Sequence, residues 1–193
     1  FGIIMNTILD TLKNTGAILE GHFLLTSGRH SNKYIEKFRL IENPKSLDLV
    51  CNEMAKLFKN HDINLVLGAA IGGILISGGV GRVLNLKHIF TERVNGIMEL
   101  RRGFNIDESS KVLIVEDIVT TGGSIFELID IVNNNKGKIV GITSILDRNQ
   151  EPVDFGYNYK PLVQYPVDSF ASEEVPDWLE EIPITKPGRS GKK

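Results

Sequence analysis

With 193 residues the chain is long enough to bury the core of one compact domain. At 41% hydrophobic and 24% charged residues, its composition excludes a disordered, fibrous or membrane-embedded protein. A formal net charge of −2 excludes broad attraction to nucleic acid or an anionic membrane, and one cysteine, Cys51, excludes an internal disulfide and a cysteine-rich zinc site.

No apolar run approaches the roughly 20 residues that span a bilayer. Phe1–Ile4 lacks a basic flank and is too short for a signal peptide, which makes Met5 a candidate initiator. Together with the lone thiol, this places the expected site of action in the reducing cytoplasm.

Asn6 is expected to cap a first helix carrying Ile8, Leu9 and Leu12 on one face and stopping at Gly16. From His22 to Ile35, two strand-like runs interrupted by Ser27-Gly28 predict a hairpin. Asn43-Pro44 opens a second helix, with Leu47, Val50, Cys51, Met54, Leu57 and Phe58 at helical spacing. Strand, turn and helix then repeat. Leu65–Leu67 leads into Gly68-Ala-Ala-Ile-Gly-Gly73 and a helix to about Leu84; His88–Phe90 is a short strand. Val112–Val115 is a wholly apolar strand followed by a helix from Ser124 to about Asn134, and Ile139–Leu146 is another apolar strand. Continuous apolar strands alternating with helices predict an α/β fold with a mainly parallel sheet flanked by helices.

Two regions fall outside the alternation. About 20 residues of weak periodicity lie between Phe90 and Lys111 and carry Arg93, Glu99, Arg101 and Arg102, as a functional lid would. The tail after Pro161 is punctuated by proline, acidic from Glu173 to Glu181, then basic from Lys186.

The chemistry concentrates in Val112-Leu-Ile-Val-Glu-Asp-Ile-Val-Thr-Thr-Gly-Gly-Ser124. Small residues at a helix start leave backbone N–H groups free and let a phosphate approach closely. Thr120, Thr121 and Ser124 add hydroxyl donors. Glu116 and Asp117, at the C-terminal end of a parallel strand, sit where such sheets bind ligands. Beside a phosphate cup an acid pair suits sugar hydroxyls or a Mg²⁺ ion. Gly68 and Gly73 have the glycine spacing of a Walker loop, but Ile74 and Leu75 stand where Lys and Ser/Thr are needed. No dinucleotide glycine fingerprint follows a strand.

Val112–Ser124 resembles the motif by which type I phosphoribosyltransferases bind 5-phosphoribosyl-1-pyrophosphate (PRPP). Gly21–Tyr34, Gly68–Ile74, Glu92-Arg93, Leu100–Phe104, Leu146-Asp-Arg148 and Ile182–Gly188 resemble the orotate-specific branch of that family. The Thr26-Ser-Gly-Arg-His-Ser31 hairpin discriminates, since purine members lack it. The resemblance spans about Gly16 to Gly188 and implies one domain over residues 1–193. Its core would be about 45–150, and a small hood subdomain would come from about 5–44 and 160–190.

The resemblance also implies roles. Glu116 and Asp117 would hold the ribose hydroxyls, Thr120, Thr121, Gly122, Gly123 and Ser124 the 5-phosphate, and Ala70, Ile71, Gly72 and Gly73 the pyrophosphate. Arg93 in the lid, with Glu116 and Asp117, would serve catalysis. Thr120, Arg148, Tyr34 and Ile35 would bind orotate, whose carboxylate a fork-shaped guanidinium can grip twice. Mg²⁺ would be held through PRPP, with Asp117 a candidate ligand. The implied product is orotidine 5′-monophosphate, on the de novo pyrimidine route. A homodimer sharing its lids, over about Arg93 to Gly103, would be the working assembly.

The sequence departs from the family at the lid. There is no lysine between Lys87 and Lys111, and Ile97 stands where relatives carry a catalytic one. Arg93, Arg101 and Arg102 are candidate substitutes. The pyrophosphate turn has glycines where some members place a lysine, and Val175-Pro-Asp177 lacks a Cys-Pro-x-Cys. Residues 22–39 set Arg29, Lys33, Lys37 and Arg39 against Glu36 alone. Cys51 is expected to be a buried thiol, His22 and His30 possible substrate neighbours by position, His61 and His88 structural or exposed, Trp178 a packing anchor, and Asp147 a support for Arg148. The alternatives are transfer to another base such as a purine, or a non-catalytic nucleotide sensor of the same fold.

Overall fold

A computed structural model describes residues 2–187. Five parallel strands form the centre: β3 (Leu65–Ala69), β4 (Lys87–Val94), β6 (Lys111–Val119), β7 (Lys138–Asp147) and β8 (Tyr159–Gln164). With antiparallel β5 (Ile97–Leu100) they make a six-stranded sheet of order β5-β4-β3-β6-β7-β8. Side chains alternate across each strand, so the apolar runs split between two cores. Val66, Leu113 and Val115 enter one core with α1 (Gly2–Asn14), α3 (Pro44–Phe58) and α4 (Gly72–Leu84). Leu65, Leu67, Val112 and Ile114 enter the other, under α5 (Gly123–Asn134). The expected α/β class is the observed one.

A second sheet, of order β2-β1-β9, joins the two ends of the chain: β1 (Ile18–Leu24) and β2 (His30–Ile35) form the expected hairpin, and β9 (Ile184–Thr185) adds in parallel to β1. α2 (Lys37–Ile41) follows the hairpin directly, and α6 (Asp177–Glu180) precedes β9. Of the tail motif, Gly188 lies outside the described residues.

Local chemistry explains the element ends. Asn43 Oδ1 accepts a hydrogen bond from Ser46 N at 3.1 Å and Pro44 opens α3, as expected. Phe58 is fully buried against Gly141, where a Cβ would lie 2.1 Å from the ring. Truncating such a residue to alanine costs about 3–5 kcal/mol. Cys51 is buried, and burial pushes its thiol up to about 12.

Four expectations need correction. Asn6 does not cap α1, which begins at Gly2 and so holds Asn6 inside the helix. The short strand expected at His88–Phe90 is longer: β4 continues to Val94 and returns as β5, with Val94 paired to Ile97. Asn95 and Gly96 have φ of 51° and 86°, as a two-residue hairpin turn requires. The tail holds a further strand, β8, containing Pro161 at the sheet edge, where its missing N–H is tolerated. Trp178 is 51% exposed; its neighbour Leu179 is the buried anchor.

Candidate active site

The C-terminal ends of β3, β6 and β7 meet the hairpin of β1 and β2 over a cleft with three adjoining hollows. The first, about 270 Å³, is the cup of Thr120–Ser124, with Arg93 and Glu127 on its rim. Gly122 has φ 79°, and a Cβ there would meet the Phe155 ring at 2.7 Å, so the loop demands glycine. The N-cap residue of α5, Gly122, makes no side-chain cap hydrogen bond, so the first-turn N–H groups keep their capacity to bind an anion.

The second hollow, about 480 Å³, shares Thr120 and Thr121 with the cup and is walled by Ser27, Arg29, Tyr34 and Arg148. Burial pushes the Arg148 guanidinium below its ordinary value, partly opposed by Tyr34. Its Nε is buried with no partner among the described residues. Arginine stays charged, so this is a cation in want of an acceptor. Burial likewise raises the Tyr34 hydroxyl, which remains neutral.

The third hollow, about 140 Å³, lies between the Ala70-Ile-Gly72 turn, Glu116, Asp117 and Lys37. The Ala70–Ile71 peptide is cis. A Cβ on Gly72 would lie 1.8 Å from Asp117 Oδ2, and one on Gly68 would lie 2.4 Å from Gly73 O, so these glycines permit contact of turn and strand. Glu116 and Asp117 are 7% and 4% exposed. Asp117 N donates to Glu116 Oε1 at 2.9 Å, and Ile118 N donates to Asp117 Oδ1 at 2.6 Å. Burial first, and Asp117 second, raise Glu116 well above the usual carboxylate range.

Most residues singled out in the sequence therefore converge: Thr120 to Ser124 and Arg93 at the cup, Tyr34 and Arg148 at the second hollow, Ala70, Ile71, Gly72, Glu116 and Asp117 at the third. Two do not. Ile35 is 5% exposed within the α1–α3 core, because adjacent strand residues face opposite sides and Tyr34 takes the cleft. Gly73 packs on Gly68 instead of lining the cleft.

His22 is buried away from the cleft. Its Nδ1 donates to the Ile182 carbonyl at 3.1 Å and its Nε2 lies 2.6 Å from His30 Nδ1, tying tail to hairpin. Asp147 does not hold Arg148; its Oδ1 accepts from Asn149 N and Nδ2 at 2.9 and 2.7 Å. Asn149, not anticipated from the sequence, also donates to Thr120 O at 2.6 Å and so braces the cup. The other residue missed was Lys37, whose only sequence signal was its place in the basic run of residues 22–39.

Among the described residues no cluster of three His, Cys, Asp or Glu could hold a metal. The acid pair alone fits Mg²⁺ in one respect: that ion commonly takes one or two carboxylates and shares substrate oxygens. No helix of the described residues is long and apolar enough to cross a membrane.

Residues 40–180 match the phosphoribosyl transferase domain family. The chain is 45% identical over 180 residues to the orotate phosphoribosyltransferase of Caldicellulosiruptor bescii, covering 93% of this chain and 95% of that one. It is 42% identical over 186 residues to that of Thermotoga maritima, covering 96% and 100%. The crystal structure of orotate phosphoribosyltransferase from Aeropyrum pernix shares the fold, with a TM-score of 0.68 at 23% identity over 81% of this chain and 93% of that one.

Proposed function

The chain belongs to the orotate phosphoribosyltransferase family, and we infer from this and from its cleft that it transfers the 5-phosphoribosyl group of PRPP to orotate. The products are orotidine 5′-monophosphate and pyrophosphate, a glycosyl transfer in pyrimidine biosynthesis. One observation carries the reading: a phosphate cup and a pocket holding a half-buried arginine share Thr120 and Thr121.

The parts of the cleft suit the parts of the reaction. The Thr120–Ser124 cup takes the 5-phosphate through N–H and hydroxyl donors. The carboxyl of Glu116 and the carboxylate of Asp117 take the ribose hydroxyls. That places the anomeric carbon between the second and third hollows. Arg148 grips the orotate carboxylate, and a ring nitrogen of orotate is the nucleophile, so no protein nucleophile is needed. As the bond to pyrophosphate breaks, positive charge grows on the ribose beside the acid pair, and negative charge grows on the leaving group. Mg²⁺ bound with PRPP, for which Asp117 is the candidate ligand, would supply charge neutralisation of the pyrophosphate. Arg93 on the β4–β5 arm adds a cation at the cup.

We place the hood at the β2-β1-β9 sheet, over a core of about residues 45–150. A homodimer is supported by the exposed apolar side chains of Phe38, Ile71 and Leu75, at 43%, 74% and 50% exposure, of which Ile71 lines the third hollow. In it the exposed Arg101 would reach the neighbouring copy. Light scattering tests that assembly. A cytoplasmic site of action fits the free thiol of Cys51.

The reaction itself is tested by mixing protein, PRPP, Mg²⁺ and orotate, and following loss of orotate absorbance with release of pyrophosphate. Turnover of a purine but not orotate, or PRPP binding without turnover of any base, would overturn the assignment.

A further inference from the structure

We propose that Lys37 is the leaving-group cation of this enzyme, its ammonium reaching from Asp117 to a pyrophosphate oxygen when PRPP binds. The proposal rests on the reading of the chain as a PRPP-dependent transferase.

The third hollow has an electrostatic difficulty. Glu116 and Asp117 wall it, and a pyrophosphate must enter it. The turn beneath cannot supply a cation at Gly72, because any side chain there would collide with Asp117 Oδ2. The β4–β5 arm carries no lysine between Lys87 and Lys111. Two of its arginines are directed elsewhere: Arg93 is paired with Glu127 at the phosphate cup, and Arg102 donates to Glu92 at 2.9 and 2.7 Å. The third, Arg101, is exposed and is not among the residues that line the hollow.

Among the described residues that line the hollow, Lys37 alone carries positive charge. Its Nζ lies 2.6 Å from Asp117 Oδ2, and its side chain is 34% exposed against 5% for Asp117. The ammonium thus meets a buried carboxylate on one side while solvent, or a ligand, reaches it from the other. An ammonium has three donors, so it can hold Asp117 and a phosphate oxygen together. It is also a compact charge on a flexible stem, suited to following a leaving group. Placement is set by the backbone: β2 ends at Ile35, Glu36 Oε1 accepts from Phe38 N at 3.4 Å, and α2 begins at Lys37. The bland alternative is that Lys37 only neutralises a buried acid. That role would affect folding and leave pyrophosphate recognition untouched.

The two are separated by comparing Lys37→Met and Lys37→Arg in the full chain, with PRPP and orotate varied in turn and pyrophosphate as product inhibitor. For Lys37→Met we expect kcat/KM for PRPP to fall about 10²–10³-fold, the scale of one lost charge-stabilising donor. The pyrophosphate inhibition constant should rise at least about tenfold, the orotate KM should change less than about threefold, and Lys37→Arg should recover part of the loss. Unaltered pyrophosphate inhibition in folded Lys37→Met would overturn the proposal. If that variant does not fold, the wild-type protein answers instead. Amine acetylation read by mass spectrometry should be slowed at Lys37 by Mg²⁺-pyrophosphate, and equal labelling with and without it would overturn the proposal. Failure of the wild type to use orotate would instead sink the functional reading, on which the acetylation measurement with Mg²⁺-pyrophosphate does not depend.

Discussion

The guanidinium of Arg93, on β4, grips the carboxylate of Glu127, on α5, through hydrogen bonds of 3.0 and 2.5 Å. The pair fastens the β4–β5 arm to the helix that opens at the phosphate cup. At 43% and 38% exposure its contribution to stability is at most about 1 kcal/mol. Glu127→Gln should therefore shift the melting temperature by no more than about 4 °C and leave PRPP kinetics within about threefold. Arg93→Ala should lower kcat/KM for PRPP by about 10²-fold, as loss of a preorganised cation does. If the two variants prove equally active, Arg93 has no part in the chemistry.

Gly72→Ala is the sharpest steric test of the third hollow. The new methyl would sit 1.8 Å from Asp117 Oδ2, so turn or carboxylate must move. Overpacking of this kind costs about 1–3 kcal/mol. The expected result is a lower melting temperature together with a PRPP KM raised about tenfold or more, as displacement of a binding carboxylate implies. Wild-type PRPP kinetics in Gly72→Ala would show that the turn and Asp117 need not touch.

What could be read from the sequence was whatever sits close together along the chain. Val112 to Ser124 contains strand end, acid pair, cup and helix start in 13 residues, so local rules sufficed. The pairing of Lys37 with Asp117 spans 80 positions and two separate elements, and no periodicity encodes it. Ile35 follows Tyr34 on one strand, and only one of the two side chains can face the cleft. The Asn95-Gly96 turn was legible as a hairpin signal, and the arginines around it drew attention to a lid instead. Pro161 masked β8 because proline argues against a strand everywhere except at an edge.

Arg148 is the specificity test. Its guanidinium is half-buried in the second hollow, and its Nε has no partner among the described residues. Arg148→Ala should raise the orotate KM by about 10²-fold, the effect of deleting a charged, doubly bonding partner, while the PRPP KM stays within about threefold. Arg148→Lys should restore little, since an ammonium cannot form the same two parallel bonds. An unchanged orotate KM in Arg148→Ala would remove this residue from base recognition.

Glu116 should give the protein a pH signature. Its carboxyl is buried beside Asp117, and both effects raise its pKa from the ordinary 4.5. In the unfolded chain the proton leaves near that ordinary value; in the folded protein it is held to higher pH. Across the interval the folded state binds more protons, so stability must fall as pH rises. The contribution is whole below about pH 4.5 and is lost as pH climbs through the raised folded-state value. Glu116→Gln keeps the neutral shape and cannot ionise. Thermal melts from pH 5 to pH 9 should show the two proteins close at the acid end and the variant more stable by several degrees at the alkaline end, since each 1 kcal/mol moves the midpoint by about 2–4 °C. Above the raised folded-state value the same variant should use PRPP poorly, because a neutral amide is a weaker acceptor for the ribose hydroxyls than the carboxylate that Glu116 becomes there. Parallel melting curves would mean that Glu116 ionises as an ordinary exposed acid does, and that the acid pair carries its full double charge before substrate arrives.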